Sequence, residues 1–255
     1  MIECEVRGSG EHHVIALHGW FGDRTSWSPL WPHLNEDEFT YAFVDLRGFG
    51  ASRHLSGEYD FAEVSRDVRA VADRLGWDAF SLIGASMGGK AALRTLADTP
   101  DRVRAVVGIA PIAASAVPLE ADARRFLADS THDPGARRAI IAGGTGRPLS
   151  GRWLDAMTAR SVERSTPEAY AGYLAAWSDG DFHGELAGLS TPSLAIAGGR
   201  DTTAPPEYLE ATWSRHLTDA RLETLSDHGH YLIDEAPLTV LSLVEDFLGT
   251  VAPGR

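Results

Sequence analysis

Short apolar runs recur along the chain, separated by segments in which apolar residues return every three or four positions. Runs that are apolar at every position are typical of strands buried in a parallel sheet, and the longer spacing is typical of helices. The predicted strands are 2–7 (half-exposed), 13–17, 41–45, a run from Phe80, 103–109, 192–197 and 221–225. The predicted helices are 27–34, 60–75, Ser86 to about Ala97, 205–215 and 237–248. This alternation predicts an α/β fold with a mostly parallel, doubly wound sheet.

The alternation stops in the middle of the chain. The interrupted segment is richer in alanine, arginine and glycine, and its helical patches are 119–129 and 167–177. The predicted division is therefore a core of 1–112 and 190–255, with a helical cap of 113–189 inserted between its two parts. A glycine run at 143–146 lacks the Lys-Ser/Thr of a phosphate-binding loop and follows no clear strand, so no nucleotide site is predicted there.

One predicted strand enters a tight turn and continues as a helix, with the pattern Gly-x-Ser-x-Gly at 84–88. A serine in such a strained turn stands exposed at the carboxyl edge of the sheet, and the two glycines keep side chains away from it. The helix that follows directs its first N–H groups toward the serine, which favours an oxyanion at this position. Ser86 is therefore the candidate nucleophile.

A nucleophilic serine requires a histidine base and an acid that orients the histidine. Two later loops carry such groups, one at Asp201 and one at the segment from Asp227 to His230. Because loops at the carboxyl ends of parallel strands meet at one edge of the sheet, these groups are expected near Ser86. The chain order favours Asp201 as the acid, with Asp227 as the alternative. His228 and His230 also suggest metal ligands, but no third ligand cluster has suitable spacing, and no metal site is predicted.

Several motifs stand together along the chain: His18-Gly19-Trp20, Asp45-Leu-Arg47-Gly48-Phe-Gly50-Ala-Ser52, Gly84-Ala-Ser86-Met-Gly88-Gly89, Gly199-Arg-Asp201, and Gly229-His230 followed by Glu235-Ala-Pro237. Over essentially its whole length the chain resembles the α/β-hydrolase superfamily. The resemblance implies that His230, and not His228, is the base. It also implies that the backbone N–H groups of Trp20 and Met87 stabilise the oxyanion. That family usually has two strands before its His-Gly loop, whereas this chain has room for one or for a shortened hairpin.

Composition restricts the partners and the compartment. The formal net charge of −13 argues against nucleic acid or an anionic membrane surface as a partner. Cys4 is the only cysteine and cannot pair within the chain, which fits a reducing compartment. The sequence opens with no signal peptide, and no apolar run approaches the roughly 18 residues of a membrane span. A cytoplasmic protein that acts on a small molecule is expected.

The resemblance favours a hydrolase that cleaves a carboxylic ester or a lactone of a small, largely apolar substrate without a cofactor. The candidate substrate contacts are aromatic: Phe21, Trp153, Tyr173, Trp177 and Tyr231. Three alternatives remain open. The Ser-Met-Gly-Gly turn is similar to that of carbon-carbon hydrolases acting on ring-cleavage products. A lyase of the menaquinone-pathway type would need a cationic pocket, for which Lys90 and Arg47 are candidates. A binding protein similar to the hormone receptors of this fold would bind ligand with vestigial turnover.

Overall fold

The computed structural model describes residues 1–251, so positions 252–255 of the predicted core segment 190–255 lie outside the described residues. Its strands are β1 (Cys4–Gly8), β2 (His12–Leu17), β3 (Phe39–Val44), β4 (Phe80–Ala85), β5 (Val103–Ile109), β6 (Ser193–Gly198) and β7 (Ala220–Leu225). They form one sheet in the order β1-β3-β2-β4-β5-β6-β7. β1 pairs antiparallel with β3 at the sheet edge, and the other pairings are parallel. The prediction of an α/β fold with a mostly parallel sheet is confirmed.

Helices cover both faces of this sheet. They are α1 (Phe61–Leu75), α2 (Met87–Asp98), α3 (Ala121–Asp129), α4 (Pro134–Gly143), α5 (Gly151–Arg164), α6 (Pro167–Asp179), α7 (Pro206–Ala211), α8 (Trp213–His216), α9 (Leu232–Glu235) and α10 (Pro237–Gly249). Alternate side chains of β2 belong to different apolar clusters. Ile15 and Leu17 pack with residues of α1 and α2, whereas Val14 and Ala16 pack with residues of α10. Burial on both faces explains why this strand is apolar at successive positions.

The local sequence sets both ends of α1. The side chain of Asp60 accepts a hydrogen bond from the Glu63 N–H (2.7 Å), and the Glu63 carboxylate accepts one from the Tyr59 N–H (3.0 Å). These bonds satisfy N–H groups that have no partner within the helix. Gly76 ends the helix with a φ of 71°, a left-handed conformation that favours glycine. The predicted helix at 60–75 and its stop at Gly76 are confirmed.

The predicted helix at 27–34 is wrong. Two short 3₁₀ turns, Arg24–Trp27 and Trp31–His33, occupy this region instead. Asp23 caps the first turn by accepting a hydrogen bond from the Thr25 N–H (2.9 Å). Pro32 has no N–H to donate, so a regular helix would lack a bond at this position.

The predicted helix at 205–215 is interrupted at Thr212, which separates α7 from α8. The Trp213 side chain beyond the break is 1% exposed. It lies so close to Gly108 that a Cβ atom at that glycine would come within 2.8 Å of its ring. The helix is thus interrupted next to the residue that packs against β5, and the spacing of apolar residues did not predict this interruption.

α3, α4, α5 and α6 lie between β5 and β6, and we call residues 110–192 the insertion. α4 and α5 were not predicted, although both begin with recognisable caps. Asp133 accepts a hydrogen bond from the Gly135 N–H (2.7 Å), and Ser150 accepts one from the Trp153 N–H (3.1 Å). Helices of residues 1–251 are all too short or too polar to cross a membrane.

Candidate active site

Ser86 occupies the turn between β4 and α2, with φ 52° and ψ −118°. This conformation is strained for a residue other than glycine, and the surrounding backbone must hold it in place. The Ser86 N–H donates to the Ile109 carbonyl of β5 (3.0 Å). The Ser86 carbonyl accepts from the N–H groups of Gly89 and Ile112, each at 2.9 Å. Bonds from two neighbouring segments thus fix the residue on the carboxyl edge of the sheet.

The glycines of this turn are required by close backbone approach. A Cβ atom at Gly84 would lie 2.2 Å from the Gly88 carbonyl oxygen, which the first turn of α2 brings back over β4. A Cβ atom at Gly88 would lie 2.2 Å from the Leu17 carbonyl oxygen at the end of β2. The pattern seen in the sequence therefore has a steric cause, because no other side chain fits at either position.

Ser86, His230 and Asp201 form a continuous hydrogen-bonded chain. His230 Nε2 lies 2.8 Å from Ser86 Oγ, and His230 Nδ1 lies 2.7 Å from Asp201 Oδ2. If Nδ1 carries the ring proton, it donates to the carboxylate, and Nε2 is free to accept the serine proton. The three groups come from loops after β4, β6 and β7, which meet because these strands run parallel in one sheet and end at the same edge.

The Asp201 side chain is held in its ionised, oriented form. Its Oδ1 accepts hydrogen bonds from the N–H groups of Thr203 (2.7 Å) and Ala204 (3.1 Å). Burial acts to raise the pKa of Asp201, but the His230 charge and the hydrogen bonds to the carboxylate outweigh it and hold the pKa below its usual range. Asp227, the alternative acid, is exposed and pairs with Arg200 at 2.6 Å.

The glycine run at 143–146 supports the His230 loop, a role that the sequence reasoning missed. The Gly144 carbonyl accepts a hydrogen bond from the His230 N–H at 2.7 Å. The backbones of Gly146 and Gly229 are so close that a Cβ atom at Gly146 would lie 2.2 Å from the Gly229 nitrogen. The signal in the sequence was the run of glycines itself, since close backbone contact is one reason for such a run.

The two residues predicted to supply the oxyanion hole, Trp20 and Met87, line the large chamber of the site together with Ser86. Met87 is the first residue of α2, where an N–H group has no acceptor within the helix. The Trp20 N–H has no hydrogen-bond acceptor among the described residues. Tyr170 of the insertion holds the Trp20 ring in place. The Trp20 Nε1–H donates to the Tyr170 carbonyl (2.8 Å), and the two rings stack with their centroids 4.1 Å apart.

A cavity over Ser86 and His230 divides into two chambers. The large chamber has a volume of about 310 Å³, and most of its walls are apolar side chains: Ile112, Val117, Leu119, Leu127, Ile140 and Trp177. The small chamber has a volume of about 60 Å³ and is also lined by Ser86 and His230. Phe21 and Tyr231 line both chambers. The arrangement can hold a substrate with a reactive centre between one larger apolar part and one smaller part.

Only some of the aromatic residues that were predicted as substrate contacts line the cavity. Phe21, Trp177 and Tyr231 line the cavity. The expectation for Tyr173 is corrected: it is 0% exposed, and its ring packs against other rings in the core, among them Phe49. Trp153 also lies outside the lining, behind Tyr231, at a ring-centroid distance of 5.3 Å.

The cationic pocket that the lyase alternative would require is not found at the site, since no Lys or Arg of residues 1–251 lines either chamber. Lys90 is fully buried, and its Nζ donates to the carbonyls of Ser115 (2.9 Å), Trp177 (3.0 Å) and Gly180 (2.5 Å). Arg47 binds Asp67 of α1 through two nitrogen atoms. Neither residue lines either chamber, so neither can meet an anionic substrate there.

Within residues 1–251, no group of three or more His, Cys, Asp or Glu side chains is arranged to hold a metal ion. The site contains a hydroxyl, an imidazole and a carboxylate in series. A hydroxyl whose proton can pass to a neighbouring imidazole is a nucleophile for carbonyl carbon.

Comparisons with known proteins give the same fold. The model of the alpha/beta hydrolase fold family matches residues 12–237. A fluoroacetate dehalogenase from a Burkholderia species is 25% identical over 284 residues, covering 99% of this chain and 92% of that protein. A pimeloyl-[acyl-carrier protein] methyl ester esterase from Nitrosomonas europaea is 28% identical, covering 90% of this chain and 92% of that protein. The structure of the esterase EaEST from Exiguobacterium antarcticum superposes with a TM-score of 0.88 at 22% identity, covering 97% of this chain and 95% of that chain.

Proposed function

This chain belongs to the α/β-hydrolase fold family, and from that premise we propose that it is a serine hydrolase cleaving a carboxylic ester or lactone of a small, largely apolar substrate. The observation that carries the proposal is the unbroken hydrogen-bonded chain from Ser86 through His230 to Asp201 beneath an apolar chamber. The esterase name of the Nitrosomonas relative supports the same reaction class.

In the first half of the cycle, Ser86 Oγ attacks the carbonyl carbon and His230 Nε2 takes the hydroxyl proton. Asp201 keeps the other ring proton on Nδ1 and stabilises the imidazolium. The N–H groups of Trp20 and Met87 donate to the tetrahedral oxyanion, a contribution of roughly 3 kcal/mol each in comparable enzymes. The C–O bond then breaks, His230 protonates the leaving oxygen, and the acyl group stays on Ser86.

In the second half, a water molecule attacks the acyl-enzyme while His230 removes one of its protons. The second tetrahedral intermediate collapses, the bond to Ser86 Oγ breaks, and His230 returns the proton to that oxygen. The carboxylic acid leaves, and the enzyme is regenerated without a cofactor. With a lactone, the acid and the alcohol are two ends of one product.

The uncharged walls of the large chamber argue for ester chemistry over the lyase alternative, because a polyanionic substrate needs cations and the candidates Lys90 and Arg47 are bound elsewhere. A carbon-carbon hydrolase would use the same three side chains, and a receptor would retain them with little turnover. The experiment below therefore has to distinguish the carbon-carbon hydrolase and the receptor from an esterase.

The experiment is hydrolysis of p-nitrophenyl esters with acyl chains of two to ten carbons by the wild type and by Ser86→Ala. We expect a burst of p-nitrophenol, steady turnover, and a loss of about 10⁴-fold or more in kcat for the variant. No turnover by folded wild type, checked by circular dichroism, contradicts the proposal. Activity on a vinylogous diketone would then favour the carbon-carbon hydrolase, and saturable ligand binding without turnover would favour the receptor.

A further inference from the structure

Asp234 is one of the residues that line the small chamber. It belongs to α9, which begins two residues after His230, and it lines the chamber together with Ser26 and Met157. One oxygen, Oδ1, accepts a hydrogen bond from Trp153 Nε1 at 3.0 Å. The other, Oδ2, has no hydrogen-bond partner within residues 1–251, and it is not among the atoms sealed from solvent. One carboxylate oxygen is therefore available to a ligand.

Within residues 1–251 this carboxylate has no cationic partner. No Lys, Arg or His of the described residues lies within 4.0 Å of it, the limit for an ion pair. Arg160, a nearby cation, directs a nitrogen to Met157 Sδ instead (3.0 Å). Burial raises the pKa of Asp234 in spite of the Trp153 hydrogen bond and the Arg160 charge. An incoming cation would relieve this unfavourable burial of an unpaired charge.

Aromatic side chains complete a surface suited to a cation. Phe21 and Tyr231 line the same chamber as Asp234, and aromatic faces attract ammonium groups. We infer that the small chamber binds a positively charged amine on the substrate through Asp234, while the apolar part occupies the large chamber. The substrate class is thus an amino-substituted ester or lactone. This inference rests on the proposed ester chemistry and specifies its substrate.

A structural role for Asp234 makes a different prediction. The carboxylate could serve only to hold Trp153 of α5 against α9. The variant Asp234→Asn separates the two roles, because an amide oxygen still accepts the Trp153 hydrogen bond while the negative charge is lost. Trp153→Phe is the reverse variant, since it removes the hydrogen bond and leaves the carboxylate.

The test uses pairs of esters that differ only in the charged group. Either substrate half can occupy the small chamber, so one pair carries the amine in the alcohol and the other carries it in the acid. The first pair is 2-(dimethylamino)ethyl butanoate and 3-methylbutyl butanoate. The second is butyl N,N-dimethylglycinate and butyl 3-methylbutanoate. Dividing the kcat/KM ratio of each pair in the wild type by the ratio in Asp234→Asn removes the intrinsic reactivity of the esters.

For at least one pair we expect the preference for the amine to fall by about tenfold or more in Asp234→Asn, as for loss of a charge-assisted contact. In Trp153→Phe the preference should persist. Equal preferences in the wild type and Asp234→Asn for both pairs overturn the inference, and so does a fall of the same size in Trp153→Phe. Because the uncharged esters report Ser86-dependent turnover by themselves, failure of the inference remains distinct from failure of the proposed function.

Discussion

At the scale of single residues, the burial of the Lys90 ammonium group is the feature that depends most on neighbouring groups. It is the only lysine of the sequence, and it lies one helical turn beyond Ser86. Burying an ammonium group is costly unless its donors are satisfied, and here three carbonyls accept its three N–H groups. Those carbonyls belong to both ends of the insertion. Lys90 therefore fastens the insertion to α2, directly behind the candidate nucleophile.

The pH dependence of this contact has a definite sign. Burial lowers the pKa of Lys90 to about 8, from 10.5 for the free side chain. Between these values the unfolded chain holds a proton that the folded protein has released, so the free energy of unfolding rises with pH. We predict that the stability of the wild type relative to Lys90→Met increases by about 1 to 3 kcal/mol from pH 8 to pH 10.

Urea unfolding of both proteins at pH 7, 8, 9 and 10 measures this difference. Lys90→Arg is the matched control, because a guanidinium keeps its proton throughout the range and its stability relative to Lys90→Met should not change in this way. A wild-type difference that is constant from pH 7 to pH 10 would contradict the prediction.

At the scale of elements, the end of α4 orients the candidate base. The loop that follows this helix lies against the loop after β7, where the Gly144 carbonyl binds the His230 N–H. Two backbones can approach this closely only if both lack side chains at the contact, as Gly146 and Gly229 do. A helix of the insertion thus contributes to the position of the imidazole, although it supplies no reacting group.

Gly146→Ala is predicted to lower kcat on p-nitrophenyl esters by about 10- to 100-fold, because the added methyl group must displace the Gly229 backbone and with it His230. Gly143→Ala is the control: it lies at the end of the same helix, and a Cβ atom there would meet no atom within 4 Å. Equal activity of the two variants would refute a positioning role for this loop. Circular dichroism and thermal unfolding check that both remain folded.

At the scale of the whole molecule, the large chamber exists only because the insertion crosses the carboxyl edge of the sheet. Its floor is the turn at Ser86, and its walls come from several segments of the insertion, including Leu127 of α3 and Ile140 of α4. Packing of Trp20 against Tyr170 of α6 joins the two parts. The length of an accepted substrate is therefore decided by how the insertion helices lie over the core.

Ile140→Trp is predicted to narrow the large chamber and to lower kcat/KM for p-nitrophenyl octanoate relative to the acetate by about tenfold or more, because the longer chain loses its space. Ala139→Trp, the neighbouring exposed position of α4, adds the same side chain outside the chamber and should leave the profile unchanged. If both variants give the wild-type dependence on chain length, long acyl chains do not occupy this chamber.

The sequence by itself determined the sheet, the turn at Ser86 and the loops that meet there. β5 was predicted at 103–109, where it occurs, because a strand buried on both faces is apolar at almost every position. The turn could be recognised from Gly84 and Gly88, since local steric demands leave a local signature. Asp201 and His230 could be placed near Ser86 because the carboxyl ends of neighbouring parallel strands necessarily share one edge.

Only the tertiary structure decided which side chains of the insertion reach the cavity. Tyr173 and Trp177 lie on the same helix, yet one ring is enclosed in the core and the other lines the large chamber. The Lys90 ammonium group binds backbone carbonyls, and Asp234, whose Oδ2 has no hydrogen-bond partner within residues 1–251, lines the same small chamber as His230. These outcomes depend on contacts between residues far apart in the chain. An apolar or charged side chain carries no local signal that distinguishes burial in a core from exposure to a cavity.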